Sequence, residues 1–351
     1  MTLSTPSSST ISVHLLTQNS HHCTTSLSST MSGKKIITVF GATGVQGGSV
    51  ADIFLHDPKL KSDWTVRAVT RDTSKESAKR LQQQGAEVVA ADLNDKSTLV
   101  KAMEGATAVF AVTNYWEKCD MKLEIQQGKN LVDAAKEAGV QQFIWSSLYN
   151  IAKLSNGKLP NVYHFDSKAL VEDYAREVDI PATFFLAGSY MSNLPGASFR
   201  RDPQANNAWT LSLPVSEQAV MPVFDAAADT GKFIKAAVLN RDKVLGKRLL
   251  GATNYLTNAQ IIEGFKKVFP EAGKTASYKK LPDDVFREFW TKYQGAPEFV
   301  AQELLENMQL FDTYGYFGGE SLDETHALLE DKLTTWEEYA AKTLKWGEEL
   351  K

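Results

Sequence analysis

The chain has 351 residues, 38 of them basic and 42 acidic, for a formal net charge of −4. With 43% hydrophobic and 23% charged residues it has the profile of a globular protein rather than of a chain disordered throughout. No apolar run approaches the roughly 20 residues of a membrane helix, two cysteines (Cys23 and Cys119) exclude a disulfide framework or cysteine-rich zinc site, and the mild acidity lacks the electrostatic excess of a dedicated nucleic-acid binder.

Residues 1–33 contain no Lys, Arg, Asp or Glu, and more than half of residues 1–30 are Ser or Thr. A stretch with so few apolar residues buries too little surface to offset its ordering entropy, so it reads as a disordered extension. It lacks the basic start and apolar stretch of a secretory signal and the arginines of a mitochondrial presequence. The expected location is cytoplasmic or nuclear, with organelle targeting by residues 1–30 left open. His14, His21 and His22 have no acidic or Cys neighbour and read as bystanders, and no metal site is expected.

Ile36 to Phe40 is a short β-branched and apolar run, hence a buried strand. Gly41-Ala42-Thr43-Gly44-Val45-Gln46-Gly47-Gly48 follows at once, and Ser49 to Leu55 reads as a helix. In this strand–turn–helix context the glycines have distinct uses. Gly41 permits the sharp turn, Gly44 lets a pyrophosphate approach the backbone, and Gly47 lets the helix pack closely on the strand. The helix N-terminus offers free N–H groups and a positive dipole to phosphates. The second strand, Trp64 to Thr70, ends in Arg71-Asp72. A guanidinium at this tip clamps a ribose 2′-phosphate, which favours NADP over NAD, while Asp72 keeps NAD open.

The third strand, Glu87 to Ala91, leads to Asp92-Leu93, where the carboxylate either accepts from an adenine amino group or caps the next helix. The fourth, Ala108 to Val112, leads to Thr113-Asn114-Tyr115-Trp116; the fifth, Phe143 to Trp145, ends in Ser146-Ser147. Helical patterns at Asp95 to Met103 and Lys122 to Ala138 lie between them. This alternation predicts an α/β fold with a parallel, doubly wound sheet and its ligand at the carboxyl ends of the strands.

Beyond a sixth strand at Ile180 to Leu186 the alternation breaks down. Helices are expected at Asp229 to Leu239, Asn258 to Phe269 (capped by Asn258 or Thr257), Pro282 to Tyr293, Pro297 to Phe311 and Thr335 to Leu350. They compose a smaller, mostly helical lobe beside the nucleotide domain, with a cleft between. Trp290, Phe299, Phe311 and Tyr314 either line that cleft or pack in the core. The expected partition is residues 1–33, 34–190 and 191–351.

These pieces together resemble the NmrA-like branch of the atypical short-chain dehydrogenases/reductases, a superfamily with the NAD(P)-binding Rossmann fold. The resemblance rests on Gly41–Gly47, Arg71, Asp92-Leu93, Thr113-Asn114-Tyr115-Trp116, Ser146-Ser147, His164-Phe165-Asp166-Ser167-Lys168, Met191-Ser192-Asn193-Leu194, Asp229-Thr230-Gly231, and Phe317-Gly318-Gly319-Glu320 leading to Thr335-Trp336. It implies dinucleotide contacts from Gly41, Thr43, Gly44, Val45, Gln46, Gly47, Arg71, Asp92, Leu93, Thr113, Asn114 and Lys168. In active members of the superfamily a Tyr stands four residues before a Lys on one helix, so that both point the same way. Here Lys168 is in place and His164 stands where the Tyr would be; Tyr163 lies about 140° away on an ideal helix. His164 reads as a replacement acid/base, as a ligand-contacting residue in a site without turnover, or as a surface histidine. Ser147, or Ser146, corresponds to the superfamily's catalytic Ser.

NmrA-like resemblance implies a redox-sensing regulator that binds NADP(H) with little or no turnover and acts on a protein partner such as a transcription factor. The alternative is an NADPH-dependent reductase of a small carbonyl or conjugated compound, with Lys168 or His164 handling the proton. Whether the chain is an enzyme stays open at this stage.

Overall fold

Seven runs of mostly apolar residues become one parallel sheet: β1 (Lys35–Val39), β2 (Trp64–Thr70), β3 (Glu87–Ala90), β4 (Ala108–Ala111), β5 (Gln142–Ser147), β6 (Ala182–Ala187) and β7 (Arg248–Gly251). Their order is β7-β6-β5-β4-β1-β2-β3, every neighbouring pair parallel. In this computed structural model the described residues are 33–346 and Leu350. The extension expected over residues 1–33 and its targeting role lie, Gly33 aside, outside them.

Strands β4, β5 and β6 are buried at every position, because helices cover both faces of the sheet. The two-residue period of a strand divides their side chains between two cores. Val109, Phe143, Trp145 and Phe184 go to one, Phe110, Ile144 and Phe185 to the other.

The crossover helices are α1 (Val45–His56), α2 (Glu76–Gln83), α3 (Lys96–Met103), α4 (Met121–Glu137), α5 (Tyr163–Glu177) and α6 (Ala226–Leu239). Each of α3, α4 and α6 starts behind an Asp whose carboxylate accepts first-turn N–H groups: Asp95, Asp120 and Asp225. Asp95, not Asp92, therefore caps α3. The Asp92 carboxylate instead accepts from Asn94, at 2.9 Å from the backbone N and 2.8 Å from Nδ2.

Two glycines set how closely α1 is held. A Cβ on Gly47 would lie 2.3 Å from the Gly41 carbonyl oxygen, so only glycine lets this helix settle onto the end of β1. On its other side, a Cβ on Gly231 of α6 would lie 2.4 Å from the Ser49 carbonyl oxygen, and the Gly231 N–H donates to Ser49 Oγ at 2.9 Å. Helix α6 thus braces the helix that opens the site.

The described residues from Lys34 onward form one compact unit. The boundary expected at residue 190 is crossed by the central sheet, because β7 returns to pair with β6. The later chain adds α7 (Asn258–Val268), α8 (Glu298–Thr313) and α9 (Trp336–Lys342). It also forms two three-stranded sheets, one joining Ser189–Tyr190, Val220–Phe224 and Asn254–Thr257, the other Phe199–Asp202, Ala208–Leu213 and Ser277–Lys280. Thr257, paired with Gln260 in a reciprocal capping box, is the cap of α7, and Asn258 is its first residue. The helix expected over Pro282 to Tyr293 is a helix only across Asp283–Glu288, then widens into a π-helical turn at Phe289–Tyr293. The closing helix ends at Lys342, before a 3₁₀ turn at Leu344–Trp346.

Gly231→Ala forces a methyl against backbone that cannot yield without parting α1 from α6. A loss of about 1–3 kcal/mol is expected from urea unfolding.

Candidate functional site

The strand order reverses between β4 and β1, and a cleft of about 1400 Å³ opens at their carboxyl ends. At one end lies the glycine turn. Gly41 has φ +65°, a conformation that glycine adopts without strain, and a Cβ there would lie 2.9 Å from Val112 Cγ1. The Gly44 N–H donates to the Gly41 carbonyl at 2.8 Å, closing the turn. Gly44 precedes α1 with no side-chain cap. The cleft is lined here by Gly41, Thr43, Gly44, Val45, Gln46 and Gly47, all expected from sequence.

Along the rim beyond β2 and β3, Arg71, Asp92 and Leu93 line the same cleft. Arg71 is not free: its Nη1 lies 2.6 Å from Glu117 Oε1, on the 3₁₀ turn Tyr115–Glu117 that follows β4. Thr113 and Asn114 line the floor between β4 and that turn.

Helix α5 carries Lys168 and His164, and their four-residue spacing brings both to the cleft. Each is bound to a buried glutamate. Glu124 of α4 accepts from Lys168 Nζ, from Ser167 Oγ and, at 2.6 Å, from Thr113 Oγ1. Lys168 Nζ also lies 3.4 Å from Thr113 Oγ1, so a third ammonium hydrogen remains for a ligand. Glu303 of α8 accepts from the His164 backbone N–H at 2.8 Å and the Tyr115 hydroxyl at 2.7 Å, and its Oε1 lies 2.6 Å from His164 Nδ1. A carboxylate that collects donors in this way places the ring hydrogen on Nδ1 and leaves the lone pair on Nε2. Burial holds the imidazole below the ordinary histidine range, against the raising influence of Glu303. The Trp116 ring centroid lies 4.6 Å from that of His164. Tyr163 opens α5 but turns its hydroxyl to Asn161 Oδ1 at 2.7 Å and does not replace the missing Tyr.

Ser147 does not reach the cleft. It shares the sheet face of Phe143 and Trp145, is fully buried, and donates to Glu172 Oε2 at 2.7 Å. Ser146, one residue earlier and so on the opposite face, is the serine that lines the cleft. It donates to Gln46 Oε1 at 2.8 Å, and Gln46 Nε2 donates to the Tyr190 hydroxyl at 2.7 Å. Burial raises the Tyr190 phenol above its usual range, and the Gln46 bond acts against it.

Beyond His164 the cleft turns apolar, lined by Leu213, Met221, Phe286, Met308, Phe311 and Tyr316. Of the four aromatics read as cleft or core, Trp290 and Phe311 line the cleft, Phe299 is exposed and Tyr314 packs against the core. Sequence reasoning missed Glu117, Glu124, Tyr190 and Glu303. For the two buried glutamates a signal exists: each interrupts the apolar stripe of an otherwise amphipathic helix.

The NmrA-like family matches residues 33–340, and the chain belongs to it. An NmrA-like family domain-containing oxidoreductase of Malbranchea aurantiaca, malD, is 32% identical over 265 residues, covering 71% of this chain and 76% of that one. The solved structure of NmrA, a negative transcriptional regulator, in complex with NADP is similar at a TM-score of 0.72 and 23% identity, covering 88% of this chain and 95% of that one. NmrA in complex with NAD matches with the same TM-score, identity and coverage. The Rossmann-like fold expected from the strand and helix alternation is thereby established.

Two outcomes follow from the buried pairs. Glu303→Gln removes the largest influence raising the His164 pKa, so in histidine NMR titrations the imidazole protonates at a lower pH than in wild type. In wild type the folded ring already refuses a proton that the unfolded chain takes near pH 6.5, so this group's share of stability falls as pH drops through that value. Lys168→Met strands Glu124 without its cation and costs about 3–5 kcal/mol in urea unfolding, part of which Glu124→Gln in the same chain restores.

Proposed function

We propose that this protein is an NADP(H)-dependent oxidoreductase acting on a small, largely apolar molecule. The observation that carries the reading is the continuity of one cleft, from a glycine-lined helix N-terminus, past His164 and Lys168, into an apolar chamber. Its volume of about 1400 Å³ exceeds the roughly 300–1,000 Å³ of a single small-ligand pocket, as two bound molecules require.

The residues fit a dinucleotide. Gly44 offers bare backbone where a Cβ would already lie 3.3 Å from the Gly41 oxygen. The first-turn N–H groups of α1, at Val45, Gln46 and Gly47, have no partner within the helix and would receive the pyrophosphate. Arg71 would meet the adenosine ribose, Asp92 and Leu93 the adenine, Thr113 and Asn114 the central span, and Lys168 the nicotinamide ribose. When bound, the nicotinamide supplies or takes a hydride. His164 exchanges the accompanying proton with the substrate through Nε2, while Glu303 fixes the tautomer and supports the imidazolium form. The chamber around Phe286, Phe311 and Tyr316 binds the substrate and excludes water. The name of the malD relative supports this reading.

A second reading has its own support: His164 and Lys168, the two basic side chains that α5 brings to the cleft, each already carry a buried carboxylate, and His164 stands where a catalytic Tyr would be. In that reading the chain reports coenzyme redox state to a protein partner, such as a transcription factor, and NmrA's description as a negative transcriptional regulator supports it. Only a difference in affinity between oxidised and reduced coenzyme can shift such a conformation.

Calorimetry with NADPH and NADP⁺ and absorbance assays of NADPH oxidation against aldehydes, ketones and quinones decide between them. The enzyme reading expects binding that Gly44→Asp abolishes, and turnover that His164→Ala lowers about 10²-fold or more. The sensor reading expects no turnover and unequal affinities for the two redox states. Equal affinities without turnover would sink both.

A further inference from the structure

Two opposite charges meet on the rim of the cleft. Arg71 stands at the tip of β2, and Glu117 comes from a different element, the turn after β4. Their side chains meet at 2.6 Å, with Arg71 66% and Glu117 37% exposed, and both line the cleft. The contact holds the Glu117 carboxyl below its usual range and raises the Arg71 guanidinium above its own. Lys75 and Lys118 stand close enough to lower Glu117 further.

The turn that presents Glu117 is fixed at both of its other residues. The Tyr115 hydroxyl donates to Glu303 at 2.7 Å, and the Trp116 ring lies against His164. The pair therefore opens by rotation of its side chains and not by movement of the turn. An exposed ion pair of this kind contributes little, whereas a guanidinium binds phosphate through two parallel, charge-assisted bonds. A dianion arriving at Arg71 thus wins the contest, but against an opposing carboxylate. A neutral hydroxyl has no means to break the pair.

We propose that Glu117 tempers coenzyme selectivity: it serves as an internal anion on Arg71 Nη1 that competes with the 2′-phosphate of NADP(H) for the guanidinium, whereas the 2′-hydroxyl of NAD(H) leaves the pair in place. The claim rests on the dinucleotide reading above and adds to it a residue that tempers the preference Arg71 creates.

Titration calorimetry on the full chain tests it, with NADPH, NADH and the fragments 2′,5′-ADP and 5′-AMP. Glu117→Gln is expected to tighten NADPH and 2′,5′-ADP about fivefold and to leave NADH and 5′-AMP within about twofold. Arg71→Ala is expected to weaken NADPH at least about tenfold and to cancel the effect of Glu117→Gln in the double variant. If wild type binds both coenzymes but Glu117→Gln leaves the ratio of NADPH to NADH affinity unchanged, or its effect survives in Arg71→Ala, the selectivity role is overturned while the dinucleotide reading stands. If wild type binds neither coenzyme, the dinucleotide reading falls and takes this role with it.

Discussion

Two glutamates withdrawn from water, Glu124 and Glu303, hold the cleft in its working shape. Moving a carboxylate into a protein interior costs several kcal/mol, and the cost is offset only when donors occupy its lone pairs. Each of these glutamates collects three donors, and helix α5, which lies between them, contributes to both sets: Ser167 and Lys168 to Glu124, His164 to Glu303. The orientation of the two cleft-facing side chains is thus a by-product of satisfying buried charge. Neither can turn away without taking a donor from a buried glutamate.

The same device ties the later chain to the sheet. Glu172 of α5 accepts from Ser147, Arg176 and Arg248, the last from β7, so a carboxylate fastens the returning edge strand. Asp229 of α6 accepts from the Thr334 N–H at 2.9 Å and pairs with Lys232 at 2.7 Å, joining the braced helix to the segment before α9. Lys235 lies between Asp57 and Asp331, at 2.7 and 3.0 Å. These contacts explain why the described residues from Lys34 onward form one unit although the described chain beyond residue 190 contributes only one strand to the central sheet.

Local patterns in the sequence foretold most of the cradle and little of what orients the chemistry. The glycine spacing after the first apolar run located the turn, because steric demands at Gly41 and Gly47 act within a few residues. The i, i+4 spacing of His164 and Lys168 brought both to the cleft for the same reason. Ser146 and Ser147 could not be told apart by residue type, since only the strand's register against α1 and α5 assigns each a face. Asp92 and Asp95 are both plausible caps by type, and the observed helix start selects Asp95. Strand β7 is four residues long and amid turn signals, so periodicity could not reveal it. Glu303 meets His164 across 139 positions of chain, a contact that no local pattern encodes.

That separation also sets an order of events at the ribosome. Lys168 meets its glutamate 44 positions earlier in the chain, so both members of that pair have emerged together. His164 emerges long before Glu303, and until α8 docks nothing fixes which ring nitrogen carries the hydrogen. A growing or truncated chain can therefore possess the glycine turn and the lysine while its imidazole still samples both tautomers, and the capacity to steer a proton is the last property the molecule acquires.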